Sequence, residues 1–223
     1  MTLTITLTAN AQTGAGVDFN AGYTAYFSDY VPYGMPWFLG PTSDETTQIV
    51  HLDTPVAGQE SATRAVLVEG SDFVYTMADH TVSGTIDTIR LTTLGPALDA
   101  TTGEFVLTGG VITTAVEYIT ISGLGLTNEP SVRGDVHNLI KGLMGGGLNG
   151  TEIDVSLLTE AIWSQGHDLQ GSTGGDSYVG TEYADLVQGY AGNDSLSGGA
   201  GADRIWGGAG AGVISGGVGR DGL

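Results

Sequence analysis

Tyr75 and His80 stand five residues apart in the run DFVYTMADHTVSG. A tyrosine phenolate is a hard anionic oxygen donor that can ligate ferric haem iron. Its ordinary pKa is about 10, so at neutral pH a neighbour must help it ionise. An imidazole nitrogen within hydrogen-bond reach supplies that help. The run reads as strand, tight turn, strand, so the two side chains are predicted to meet across the end of a hairpin. On spacing alone the pair is a weak signal, because an alternating strand carries Tyr for packing more often than for ligation.

A second constellation is periodic. Asp176, Asp185, Asp194, Asp203 and Asp221 fall on a nine-residue beat that misses once, at Gly212. Two residues after each beat stand Tyr178, Val187, Leu196, Ile205, Ile214 and Leu223. Of 38 glycines, 17 lie within residues 171–223. A flexible linker would need the composition but not the register. The pattern predicts an all-β parallel β-roll, each frame a tight turn and a very short strand, with the apolar residue pointing inward. Glycine supplies the positive φ that such turns require. Carboxylates and turn carbonyls are hard oxygen donors suited to Ca²⁺. The candidate ligands are the five aspartates with Gly192, Gly201 and Gly219.

The elements that must position these groups divide at the composition shift near Gly171, giving 1–170 and 171–223. The first part reads as α+β, a curved antiparallel sheet backed by helices. Strands are expected at 64–70, 72–78, 80–94, 104–109 and 115–123. Helices are expected at Tyr23–Tyr30, at 130–144 starting from Pro130, and at 152–163 with Thr151 as N-cap. Val31 to Ser61 reads as a long irregular stretch, of the kind that is usually functional or disordered.

Composition narrows the functions. Six basic against 25 acidic residues give a formal charge of −19, which disfavours nucleic acid or an anionic membrane as partner. The chain has no Cys, which excludes disulfides, thiolate metal sites and thiol catalysis. No apolar run reaches the roughly 18 residues of a transmembrane segment. The opening TLTITLTA alternates like a strand and not like a Sec signal peptide. No HExxH, GxSxG or Walker motif occurs, and His51, His80, His137 and His167 show no metal-ligand spacing. The expectation is a binding protein and not an enzyme.

Two family resemblances sharpen the reading. GGAGAD, GGVGRD and the frames around them resemble the RTX nonapeptide G-G-x-G-x-D-x-U-x. That resemblance implies 18-residue coils with Ca²⁺ between turns. Asp176, Asp194 and Gly212 would then form one column, and Asp185, Asp203 and Asp221 the other. The cleanest site would join Asp203 to Asp221, with Asp176 and Asp194 next. FVYTMADHTVSGTIDTIRL, GDVHNLIKGLMGG and AGYTAYFSDY resemble the hairpin and helices of HasA-type haemophores, over residues 20–165. This implies ferric haem with Tyr75 as axial ligand, His80 as its hydrogen-bond acceptor and Met144 lining the pocket. A second axial His is often supplied by the loop after the first helix. Here that region offers only His51, which would have to swing in, while YVPYGMPWF would cover a porphyrin face.

Both resemblances imply a secreted, extracellular protein that leaves through type I secretion machinery and passes haem to an outer-membrane haem receptor. The alternative is a structural or adhesive module of an extracellular RTX surface protein, without haem. The last frame stops in mid-repeat at Leu223, so a longer parent chain is expected.

Overall fold

The computed structural model describes residues 2–145 and 152–223. In chain order these form β1 (Leu3–Leu7), α1 (Phe19–Ser28), β2 (Trp37–Leu39), β3 (Gln48–Leu52), β4 (Arg64–Thr76) and β5 (Thr81–Thr93). Then come β6 (Val116–Asn128), α2 (Asp135–Leu143), α3 (Ser156–Trp163), β7 (His167–Gln170), β8 (Ser177–Val179) and β9 (Leu186–Gln188). The chain ends with β10 (Ser195–Ser197), β11 (Ala200–Gly201), β12 (Arg204–Trp206), β13 (Val213–Ser215) and β14 (Val218–Gly219). The class is α+β followed by a parallel roll. Among the described residues no helix is long and apolar enough to cross a membrane.

The chain divides into two compact units. One comprises Met1–Ser28, Tyr118–Gly123 and Thr159–Leu223. Within it β1 pairs antiparallel with the middle of β6 and parallel with β7. Phe19 of α1 sits among Trp163, His167 and Tyr178, with ring centroids 5.7, 6.0 and 5.9 Å away. His167 is fully buried. Both of its ring nitrogens are engaged, by the Tyr178 hydroxyl at 2.9 Å and the Ile162 carbonyl at 3.0 Å.

The other unit comprises Asp29–Glu117 and Leu124–Leu158. In it β2, β3, β4 and β5 pair antiparallel in order. Val50, Leu52, Ala65, Leu67, Leu94, Ala97, Ile112 and Ala115 form its core, with Trp37, Leu39, Leu98 and Phe105 packed against them.

Several boundaries depart from the sequence pattern. The expected strands at 64–70 and 72–78 are one strand, β4, with register irregularities between Glu69 and Gly70 and between Ser71 and Val74. The 104–109 strand reduces to isolated bridges at Leu98–Phe105 and Thr108–Val111, because Gly103, Gly109 and Gly110 take left-handed φ of 71°, 58° and 83°. The stretch 31–61 holds β2 and β3. The first helix starts at Phe19 and ends before Tyr30. The second starts at Asp135, not Pro130, because Ser131 adopts φ 60° and the Asn128 side chain closes the turn. Its amide donates to the Val132 carbonyl at 3.1 Å, and its oxygen accepts from the His137 amide at 3.2 Å. That caps a first-turn N–H that would otherwise lack a partner. The third begins at Ser156; the expected cap Thr151 lies outside the described residues.

Gly84 faces the irregular segment of β4 with φ 123°. A Cβ there would stand 2.7 Å from the Asp72 carbonyl oxygen and 2.8 Å from that of Ser71. Gly84→Ala is therefore expected to lower stability by about 1–3 kcal/mol. Denaturant unfolding checks this, and an unchanged midpoint would show that the hairpin relaxes there at no cost.

Candidate functional site

The β4–β5 hairpin brings Tyr75 and His80 together. Tyr75 pairs with Val82 near the hairpin end. His80 adopts φ 55° in the turn that follows, a left-handed conformation that non-glycine residues seldom take. The Tyr75 hydroxyl lies 2.6 Å from His80 Nδ1. With His80 neutral and its proton on Nε2, the phenol donates and Nδ1 accepts.

The pair forms one wall of an apolar cavity of about 580 Å³, within the size range of organic-ligand sites. Met35, Pro36 and Phe38 line it from β2 and the approach to it, and Val82 from β5. Arg133, His137, Ile140, Lys141 and Met144 line it from α2 and its flanks. The Phe38 and Tyr75 rings are 6.1 Å apart. The His137 Nδ1 accepts from the Val82 amide at 3.4 Å, the long end of the range. Burial, reinforced by Arg133 and Lys141, holds the His137 pKa below its usual value. Met144 thus lies in the cavity with Tyr75 and His80. Arg133, His137 and Lys141 were not singled out from sequence as lining this site, although His137 and Lys141 are one four-residue step apart on α2.

A larger cavity of about 890 Å³ occupies another part of the same unit. Tyr33, Trp37 and Phe105 line it, with Glu60, Asp99 and Glu104 and with no His, Lys or Arg. Adjacent residues of β2 diverge as a strand requires: Trp37 serves this cavity and Phe38 the other. Of the expected porphyrin cover, Met35, Pro36 and Phe38 therefore reach the Tyr75 cavity, whereas Tyr33 and Trp37 line the other.

In the C-terminal segment the 18-residue columns are explicit. β8, β10 and β13 stack in parallel, as do β7, β9 and β12. The amide of Asp176 donates to Asp194 Oδ1 at 2.9 Å, that of Asp185 to Asp203 Oδ1 at 2.8 Å, and that of Asp203 to Asp221 Oδ1 at 3.2 Å. Tyr178, Val187, Leu196 and Ile205 are buried between layers, whereas Ile214 and Leu223 are exposed. Gly201 and Gly219 hold φ 129° and 154°, and a Cβ on Gly219 would stand 1.5 Å from the Gly201 carbonyl oxygen.

The second carboxylate oxygens divide into two groups. Asp176 Oδ2 accepts from the Ser172 amide at 2.5 Å, and Asp185 Oδ2 from the Thr181 amide at 2.7 Å. The hydroxyls of Ser172 and Thr181 bond the same carboxylates. Asp194 Oδ2 and Asp203 Oδ2 are buried with no hydrogen-bond partner. Desolvation raises the pKa of both Asp194 and Asp203, and neighbouring aspartates add to it. A buried carboxylate oxygen with no donor is suited to a cation. Among the described residues no three His, Cys, Asp or Glu cluster as a metal group, so such sites would combine one carboxylate per turn with backbone carbonyls.

The RTX calcium-binding nonapeptide repeat matches this segment over residues 170–205 and 191–223. The match covers residues 170–223, the whole of the segment with the nine-residue beat. Solved structures similar to the chain include the apo haemophore HasA from Yersinia pestis, at 19% identity over 73% of this chain and 87% of that one, TM-score 0.45. A mutant HasA monomer from Yersinia pseudotuberculosis is 18% identical over 73% and 89%, TM-score 0.46. The holo haemophore HasA from Yersinia pestis is 20% identical over 66% and 84%, TM-score 0.42. No curated protein matches the chain. Within these frames Ser172 and Thr181 occupy the place that Tyr190 takes before Asp194 and Gly199 before Asp203; the Tyr190 hydroxyl bonds Gln170 instead and Gly199 has none, so only the earlier carboxylates gain a side-chain donor.

His51 requires a correction. It is expected in a loop and free to swing toward the Tyr75 site, but it lies within β3, opposite Val66 and 3% exposed. Every residue of β3 is buried, so movement would dismantle the sheet. Its Nε2 has no hydrogen-bond partner, and burial lowers its pKa to about 3. The folded state keeps His51 neutral while the unfolded chain protonates near its ordinary value of about 6.5. Stability from this residue is therefore present above about pH 6.5 and is lost as pH falls toward 3, by about 1.4 kcal/mol per unit. His51→Leu is expected to flatten that part of the stability–pH curve. Equal slopes for the two proteins would place the acid sensitivity elsewhere.

Proposed function

We propose that the chain is a secreted haem-binding protein that takes ferric haem through Tyr75 and whose RTX roll folds on external Ca²⁺. The observation that carries the haem reading is the phenol of Tyr75 in contact with His80 Nδ1 at the wall of an open apolar cavity. The cavity suits a flat apolar macrocycle, and the phenol is the hard oxygen donor that ferric iron takes. His80 Nδ1 is placed to accept the phenol's hydrogen as that oxygen takes a metal. Phe38, Ile140 and Met144 exclude water around it. The iron supplies a Lewis-acidic centre for that oxygen. No second side chain is assigned to hold the group, since His51 is buried within β3.

The donor set of the roll fits Ca²⁺ for the reason already given: buried carboxylate oxygens without donors, beside glycine turns. Binding free energy at such sites is folding free energy. Calcium at a hundred times Kd adds about 2.7 kcal/mol per site. Where free Ca²⁺ is scarce the acidic frames repel one another, which suits export of an unfolded chain by type I secretion machinery. Outside, Ca²⁺ completes the roll, and bound haem passes to an outer-membrane haem receptor.

Haemin added to the purified protein is expected to give a shifted Soret band, and Tyr75→Phe is expected to change or abolish it. No shift, or a shift indifferent to Tyr75→Phe, would instead favour a structural module without haem.

For the roll, the rise in melting temperature on adding Ca²⁺ is the quantity to compare. Asp203→Asn keeps the acceptor for the Asp185 amide but replaces the donorless oxygen, so it should lose much of that rise. Asp185→Asn, where Thr181 already serves the carboxylate, should keep most of it while lowering the calcium-free melting point. The reverse order would move the metal to the earlier turn of the same column.

A further inference from the structure

Positive charge is scarce in this chain, with six basic residues against 25 acidic ones, and its placement is selective. Arg64 is held by Asp29 and Asp53, and Arg90 by Glu69 and Glu117. Arg133 and Lys141 both line the Tyr75 cavity and form no ion pair among the described residues. Among the described residues the hydrogen bond of Arg133 goes to the backbone carbonyl of Asp79 at 3.4 Å. The Asp79 carboxylate is itself engaged by the Thr81 hydroxyl at 2.7 Å and the Thr81 amide at 3.2 Å. The larger cavity of the same unit has the opposite character, with Glu60, Asp99 and Glu104 and no basic residue.

The start of α2 explains how two cations reach one apolar wall. His137 and Lys141 are one four-residue step apart on the same face of α2, and Arg133 stands just before the extended Gly134 that precedes the helix. Both long side chains can lay their methylenes along the apolar lining and keep their charges at its mouth. An apolar cavity ending in two cations without carboxylate partners is matched by a ligand that is flat and apolar in the middle and anionic at its edge.

We infer that Arg133 and Lys141 are anion anchors, and that the occupant of this cavity is an apolar planar molecule bearing carboxylates. Naming those carboxylates as the two propionates of haem rests on the haem reading above. The anchors fix which edge of the macrocycle faces solvent, and they discriminate against the esterified or decarboxylated ring.

Metal-free protoporphyrin IX tests this without the iron contact, because it keeps both carboxylates and offers Tyr75 no metal. Fluorescence titrations would compare it with its dimethyl ester, against the wild type, Arg133→Gln, Lys141→Gln and the double variant. The wild type is expected to prefer the diacid. Each single variant should weaken diacid binding by about two- to fivefold, the range of solvent-exposed ion pairs, and leave the ester unchanged. The preference should shrink as salt is raised. Equal losses for both porphyrins, no loss for either, no preference in the wild type, or no porphyrin binding at all would each overturn the anchors. If the porphyrin series behaves as expected while the haemin spectrum ignores Tyr75→Phe, the anchors stand and only the iron contact is wrong.

Discussion

A phenol and an imidazole 2.6 Å apart at the edge of an apolar cavity set the terms for the rest of the second unit. A hydroxyl in such a place is a neutral donor unless something accepts its proton, and only an accepted proton makes its oxygen a good ligand. The acceptor must sit beyond the tip of the hairpin, not across from Tyr75 in the ladder, where Val82 stands. The left-handed backbone at His80 is what lets a four-residue turn return the ring to its partner. Strain of this kind persists only where neighbours over-determine it, and the tie from Thr81 to Asp79 inside the same turn is such a neighbour.

Legibility in the sequence followed local periodicity. Tyr75 and His80 were readable because both sit in one hairpin with clear alternation on either side. The opposite wall was not. QIVHL is buried at all five positions, so β3 shows no alternation, and the strand that fixes His51 looks like part of a loop. β2 is only three residues long, too short for a period, and its division of Trp37 from Phe38 between two cavities is a tertiary fact. On α2 the apolar stripe Val136, Leu139, Ile140 and Leu143 dominates the pattern. Beside it Arg133, His137 and Lys141 read as ordinary solvated surface until Tyr75 is placed opposite them. The stacking of the roll was legible because its contacts are fixed at one sequence offset, although Ile214 and Leu223, expected inside, are exposed in the last layers. Glycines and aspartates at nine-residue spacing dictate the columns with no long-range information.

The roll also shows how a repeat can differ from layer to layer while keeping one backbone. Every aspartate that has a layer above uses one oxygen to accept an amide 18 residues earlier. That oxygen is structural and is satisfied without metal. The layers differ at the other oxygen. The Ser172 and Thr181 amides donate to it in the first two frames, where their hydroxyls bond the same carboxylates, whereas in Asp194 and Asp203 it is buried and without a donor among the described residues. An unsatisfied buried carboxylate oxygen costs several kcal/mol unless a proton or a cation compensates it. The early frames are therefore self-sufficient and continue directly from β1 and β7, which give them a template. The later frames carry the electrostatic deficit. In a series graded this way the end that adjoins β1 and β7 is self-satisfied, and the last layers are those that a compensating charge would stabilise most.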